Sequence, residues 1–251
     1  MLERIRIVMV NTSHAGNVGS AARAMKTMGL TELRLVAPER YPAADATAMA
    51  AGADDVLAAA RVHATMDEAV ADCGLIVGTT ARARHLPWRI VEPREAAREI
   101  VAAARDGRVA VLFGAERTGL TNEDIERCQL LVSIPTGSSY GSLNLAMAVQ
   151  VIAYELLLAG RDEGAAAAAS GVPLASASEM EKFYRHLAEV MDESGFRDRN
   201  GDGHLMSRVR RLFNRAVLDQ NEVNILRGIL TAVQGRRRRA GDPHPSRREP
   251  S

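Results

Sequence analysis

The stretch VAVLFGAERTGLT, residues 109–121, is an apolar run of strand length that stops at a glycine and gives way to a polar turn with a second glycine near its end. A short continuous run of Val, Leu and Phe ended in this way reads as a strand buried on both faces, as in parallel sheets covered by helices. The turn, Gly114 to Thr121, nearly spells the phosphate-binding pattern G-x-x-x-x-G-K-[ST], with Leu120 in the lysine position. Without that lysine nothing reaches the β- and γ-phosphates, and the Glu116 carboxylate would repel them. The adjacent Arg117 offsets this only in part. The loop therefore reads poorly as a triphosphate site, which leaves another ligand or none at all.

Four similar runs flank it, at 5–10, 33–37, 75–79 and 130–134, with helix-like segments at 18–28, 46–60, 66–72, 93–105 and 121–127. The alternation predicts an α/β domain with a largely parallel sheet. Residues 143–158 are apolar nearly all round, which predicts a buried helix. Three expected strand ends, Thr79-Thr80-Ala81, Gly114-Ala-Glu116 and Ile134-Pro-Thr-Gly137, carry residues that let a ligand approach the backbone, and in open α/β sheets such ends share one crevice. Each alone also reads as a tight turn.

The junction NTSHAGNVGSAAR, residues 11–23, is richer in polar residues and glycine than a plain connection requires. It is not a dinucleotide fingerprint, because His14 stands at the first glycine position and only Gly16-x-x-Gly19 remains; Glu39 could still imitate a ribose-binding acid. Asn17 lies near the expected helix start, and Arg23 lies two turns on, opposite the Ala21/Ala22/Met25 stripe. Ser142 and Asn144 sit at the start of the 143–158 helix, where either also reads as a cap.

Residues 1–160 form the expected α/β domain and 161–177 an Ala/Gly/Ser-rich linker. From 178 to 235 three amphipathic helices are expected. The first opens with a capping box of Ser178 and Glu181 and ends near Gly195, the second carries Leu205, Val209, Leu212, Phe213 and Ala216, and the third is capped by Asp219 with Glu222 and ends at Gly235. Three short helices have too little core to stand alone, so they are expected to pack on the first domain or on a second copy. Residues 236–251, opening with four arginines, read as a disordered basic tail. From 204 onward eleven Lys/Arg face four Asp/Glu, a balance of +7, which leaves −6 for residues 1–203 out of the total of +1. That asymmetry suggests a polyanionic partner.

With 251 residues, 47% of them hydrophobic, the chain can bury a core without disulfides, and its two cysteines, Cys73 and Cys128, have no metal-ligand spacing. They are expected to be reduced. No leader or membrane-length apolar run is visible, so a cytoplasmic location is expected. Asp198-Arg-Asn-Gly-Asp-Gly203 matches half of a calcium loop, but its twelfth position is Val209 rather than glutamate, and no metal is expected.

Three motifs in order, VNTSHAGNVGSAARAMKTMGL (10–30), VLFGAERTGLTNEDI (111–125) and IPTGSSYGSLNLAMAV (134–149), resemble the signatures of the SPOUT-superfamily RNA ribose 2′-O-methyltransferases. The likeness extends through Gly78-Thr-Thr-Ala-Arg82, Trp88 and RLFNRAVLDQNEVNILRGIL (211–230). It implies a deep trefoil knot toward the C-terminal end of the sheet domain, S-adenosylmethionine as cofactor, and an obligate homodimer whose active sites take residues from both subunits. By motif position it implies Thr79, Thr80, Ala81, Gly114, Ile134, Gly141, Ser142 and Leu143 as cofactor contacts. Arg23 is implied as catalytic, with Asn17, Glu116, Ser142 and Asn144 as the polar wall around the reacting ribose. A guanidinium rarely gives up its proton, so Arg23 is better suited to steadying a developing alkoxide or a flanking phosphate than to acting as a base.

Arg82, Arg84, His85, Trp88 and Arg89 offer cations and an aromatic ring beside the cofactor strand, and Arg208, Arg211 and Arg215 form a basic stripe on the second C-terminal helix, both suited to RNA. The members of the family that the chain most resembles act on the pyrimidine ribose that opens the tRNA anticodon loop, position 32, which implies tRNA as partner. The alternatives are another tRNA or rRNA position, or a non-catalytic RNA-binding dimer.

Overall fold

The computed structural model describes residues 1–81, 88–137, 141–162, 172–196 and 204–241, with the backbone alone over 236–241. Seven parallel strands build one sheet: β1 (Ile5–Val10), β2 (Glu32–Val36), β3 (Arg61–His63), β4 (Cys73–Thr79), β5 (Ile90–Val91), β6 (Arg108–Phe113) and β7 (Leu130–Val132), in the spatial order β3-β2-β1-β6-β4-β7-β5. The run that opened the sequence analysis is β6. It lies between β1, with Ile5 opposite Val109, and β4, with Ile76 opposite Ala110. Residues 109–113 of this central strand are all buried, as a strand covered on both faces requires.

Helices cover the two faces unequally. One face carries α1 (Ala15–Thr27), α2 (Ala44–Ala50), α3 (Asp54–Ala59), α5 (Pro93–Ala103) and α7 (Leu145–Asp162), which share the larger core with Ile5, Ile7, Met9, Val111 and Phe113. The other face carries α4 (Met66–Val70) and α6 (Asn122–Glu126) over Val8, Ile76, Leu112 and Leu131. Burying an aliphatic side chain of this kind stabilises the fold by ~1.5–3 kcal/mol. Helix α1 meets α2 through Gly19: a Cβ there would lie 2.0 Å from the Ala46 carbonyl oxygen, so only glycine permits this approach.

The three C-terminal helices are α8 (Ala177–Ser194), α9 (Leu205–Asn214) and α10 (Gln220–Gly241). They share a small core of Ala175, Met180, Phe183, Tyr184 and Val223, where Phe213 meets Phe183 edge-on at 4.9 Å. Backbone bonds from Ala175 to Leu218 and from Gln220 to Pro173 tie the start of the extension to the α9–α10 turn. As expected, the extension packs on the sheet domain: the Ser178 amide donates to the Ala71 carbonyl at 3.0 Å.

Several sequence expectations are corrected. The 46–60 helix is two helices, broken at Ala51 and Gly52, both at positive φ. The short strands β3 and β5 were not foreseen. The first C-terminal helix is capped by Ser176 with Glu179 rather than by Ser178 with Glu181, because the Ser178 amide is already used by Ala71. Helix α10 opens with the expected Asp219–Glu222 box but runs past Gly235 to Gly241. Arginine is a good helix former, and no proline interrupts before Pro243, so part of the stretch expected to be disordered is helical.

Candidate functional site

The carboxyl ends of β4, β6 and β7 lie side by side, and a cleft opens beyond them. Its lining includes all eight residues singled out as cofactor contacts: Thr79, Thr80, Ala81, Gly114, Ile134, Gly141, Ser142 and Leu143. Segments more than sixty residues apart in sequence thus converge on one cavity, as the strand-end argument required. Thr79 donates from its hydroxyl across the sheet to the Leu112 carbonyl (2.8 Å), and the Thr80 amide donates to Val132 (2.9 Å), which locks the floor.

The loop Gly114–Thr121 closes on itself. The Gly119 amide donates to the Ala115 carbonyl at 2.8 Å, with Gly119 at a φ of 69°. A Cβ on Gly114 would lie 2.1 Å from both the Gly119 carbonyl carbon and the Leu120 nitrogen, so the loop can fold this tightly only around glycine. Leu120, the residue in place of a phosphate-binding lysine, is 1% exposed and belongs to the core. It anchors the loop and does not reach for a ligand. Among the described lining residues no lysine is present, and Arg117 and Glu116 carry the only opposed charges. This set does not suit a polyphosphate. A cationic sulfonium ligand, which needs close backbone approach and tolerates a nearby carboxylate, fits it.

Glu116 is the hub of a hydrogen-bonded chain along one rim. Its Oε2 accepts from the Ser13 amide (3.1 Å) and hydroxyl (3.0 Å), and its Oε1 from Asn17 Nδ2 (2.8 Å) and the His14 amide (3.3 Å). A carboxylate can only accept, so Asn17 must turn its amide nitrogen to Glu116 and its oxygen outward. That oxygen accepts from Asn144 Nδ2 at 3.0 Å, and Asn144 Oδ1 in turn accepts from the amides of Ala146 (2.9 Å) and Met147 (3.3 Å) in the first turn of α7. Asn144 is therefore both the cap and part of the wall. Burial pushes the Glu116 carboxyl upward, but the bonds from Asn17 and Ser13 outweigh it and hold the group below its ordinary value.

Ser142 lines the cleft beside this chain. Arg23 is exposed on α1, opposite the buried Ala21, Ala22 and Met25, and does not line the cleft formed by its own chain. Arg82, Arg84 and His85 lie outside the described residues, as does the calcium-like stretch 198–203. Trp88 is half-buried against the smaller core. Arg89 is engaged by Glu95 and Glu99 at 2.9 and 2.5 Å. Arg208 and Arg215 are exposed, whereas Arg211 is half-buried. Sequence reasoning missed Ser13, which supplies two of the donors to Glu116. It also missed the polar contact that Asn214 makes between the extension and the sheet domain. Among the described residues no group of three or more His, Cys, Asp or Glu could hold a metal, and no helix is long and apolar enough to cross a membrane.

Comparison with known proteins bears on this cleft. Residues 4–154 match the SpoU rRNA Methylase family, and residues 178–243 match the tRNA methyltransferase TrmJ C-terminal domain. The tRNA (cytidine/uridine-2′-O-)-methyltransferase TrmJ of Photorhabdus laumondii is 50% identical over 93% of this chain and 98% of its own. A Pseudomonas aeruginosa relative, named tRNA (cytidine/uridine/adenosine-2′-O-)-methyltransferase TrmJ, is 48% identical over 93% and 95%. The crystal structure of TrmJ from Z. mobilis superposes with a TM-score of 0.79 at 33% identity, covering 91% of this chain and 98% of that one.

Proposed function

The chain belongs to the SpoU methylase family and carries a C-terminal domain of the TrmJ type, and from that premise we propose that it transfers a methyl group from S-adenosylmethionine to the ribose 2′-hydroxyl of nucleotide 32 in the tRNA anticodon loop. The observation that carries the reading is the Glu116–Asn17–Asn144 chain set on the rim of a cleft whose described lining holds no phosphate-binding lysine. Bound S-adenosylmethionine supplies an electrophilic methyl group on a sulfonium. Everything else in the step is positioning and help with proton loss.

Thr79, Thr80, Ala81, Gly114, Ile134, Gly141, Ser142 and Leu143 would hold the cofactor, mostly through backbone and small side chains. Glu116, fixed by four donors, keeps Asn17 and Asn144 in one orientation, so the ribose meets a prearranged polar wall with Ser142. The Arg23 that serves a cleft would come from a second subunit. Support for that homodimer comes from Met147 and Tyr154, large apolar side chains left exposed on the outer face of α7. In this reading the guanidinium steadies the forming alkoxide or a flanking phosphate. A trefoil knot toward the C-terminal end of the sheet domain belongs to the same reading. The arginines of the extension, Arg208, Arg211 and Arg215, with Arg82, Arg84 and Trp88, would hold the RNA in a cytoplasmic enzyme.

The test is methyl transfer from labelled S-adenosylmethionine to unmodified tRNA transcripts, with the product nucleotide mapped. A 2′-O-methyl mark at position 32 is expected. No transfer, or a mark confined to another position, overturns the assignment.

A further inference from the structure

Helix α9 buries one residue fully, and that residue is an asparagine, Asn214, at 3% exposure. An amide buried beside Tyr184 destabilises the fold unless both its polar atoms are matched. Both are. Asn214 donates from Nδ2 to the Glu126 carbonyl at 2.9 Å, and its Oδ1 accepts from the Tyr184 hydroxyl at 2.7 Å. A carbonyl cannot donate, so the amide has one orientation.

The two partners lie on opposite sides of the seam between extension and sheet domain. Tyr184, on α8, is 2% exposed, and the Arg210 guanidinium stacks 4.5 Å from its ring centre while pairing with Glu181. Glu126 is the last residue of α6, where a helix leaves its final carbonyls without internal partners. Asn214 takes one of them. At its other end α6 is fixed by the capping box of Thr121 and Asp124, and Thr121 follows Leu120 directly. A continuous rigid path therefore joins the last residue of α9 to the loop Gly114–Leu120 on the cleft. The neighbouring Arg127 is held to Asp67 of α4 at 2.6 Å, which fixes the same end of α6 to the sheet domain as well.

Taking the extension as the RNA-binding part, as the reading above does, we propose that Asn214 is a positioning residue that couples RNA docking on the extension to the shape of the cofactor loop. RNA that shifts α9 moves the Glu126 carbonyl, and α6 transmits the movement to Gly114–Leu120. Linkage is reciprocal, so a filled cleft must strengthen RNA binding by the same factor.

The test is a thermodynamic cycle on the full-length chain. The affinity for S-adenosylhomocysteine is measured by calorimetry with and without a saturating unmodified tRNA transcript, for the parent, Asn214→Asp and Tyr184→Phe. Asn214→Asp keeps the volume and the acceptor for Tyr184 but sets an oxygen against the Glu126 carbonyl. Tyr184→Phe spares the Glu126 bond. We expect tRNA to tighten binding about fivefold or more in the parent, the gain to vanish in Asn214→Asp, and most of it to survive in Tyr184→Phe. A residue that only holds the fold would change melting temperature in both variants and leave the ratio alone. If Asn214→Asp does not fold, Asn214→Ala carries the same expectation. Equal tightening in the parent and the Asn214 variant overturns the inference, as does a parent that binds both ligands without coupling. A parent that binds no S-adenosylhomocysteine overturns the methyl-transfer reading as well, and that result is distinct from the other two.

Discussion

The sheet domain and the helical extension hold themselves together by different means. The former buries strands on both faces under two large clusters, and its cleft is edged by turns that close backbone on backbone. Among the described residues the latter's core cluster has five buried members, and Leu212, Ile225 and Ile229 are more than half exposed. It is fixed to the rest by polar atoms: Asn214 to Glu126, and Ser178 to Ala71. A dense core gives the precision that a reacting centre needs. A thin core with directional contacts gives a part that can adjust to a large ligand and pass that adjustment on through a few bonds.

The contrast can be broken most forcefully at Gly114. Gly114→Val puts a side chain where the Gly119 backbone already lies, and methyl transfer should fall by about a hundredfold or more, the scale of a misplaced site. RNA affinity measured by filter binding should barely move. Equal loss of both would mean the two regions are not separable.

Next come paired core deletions. Phe113→Ala and Phe183→Ala should each cost ~3–5 kcal/mol, but with different signatures in scanning calorimetry. The first lowers the main transition. The second melts the extension separately, because its own core cannot absorb the loss. A single shifted transition in both cases would show one cooperative unit.

A smaller effect is expected at Asp72, whose carboxyl is held well below the usual carboxylate range, chiefly by its bond from Arg6, with burial opposing and Arg108 adding. A depressed folded pKa contributes stability that is present above the unfolded value near ~4 and is lost as pH falls through the folded value. Asp72→Asn should therefore be less stable than the parent at pH 7. The side chain is 46% exposed, so solvent screening limits the difference to ~1 kcal/mol. Urea melts at pH 7, 5 and 3 should show the gap unchanged between 7 and 5 and narrowing at 3. No measurable change at all is expected from thiol reagents on the native protein at pH 8. Burial pushes Cys73 up to about 12 and Cys128 up as well, and both should react only after denaturation.

Much of the sheet domain was legible because its long strands are largely apolar runs, with β4 ending at Thr79 and β6 stopping before Gly114. Eight of the residues that line the cleft were legible from motif likeness, and three strand ends pointed to the same place independently. What escaped had a physical reason. Arg61-Val-His63 and Ile90-Val91 are too short to carry a period, and they are strands only because β2 and β7 present edges to them. Ser176-Ala-Ser-Glu-Met-Glu181 holds two overlapping capping boxes, and the choice between them is made by Ala71, a hundred residues away. Asn214 reads as an ordinary polar residue at a helix end, since nothing local reveals that the Glu126 carbonyl waits for it.

The strand order carries a consequence for biosynthesis. β1 is made first, yet its partner β6 begins at Arg108, so Ile5 waits for Val109 before that side of it is covered. At translation speeds of ~5–20 residues per second this exposes a largely apolar edge for about 5–20 seconds on every nascent chain. The enzyme's centre is thus sealed late, and ribosome-associated chaperones should matter more to its yield than to its final stability.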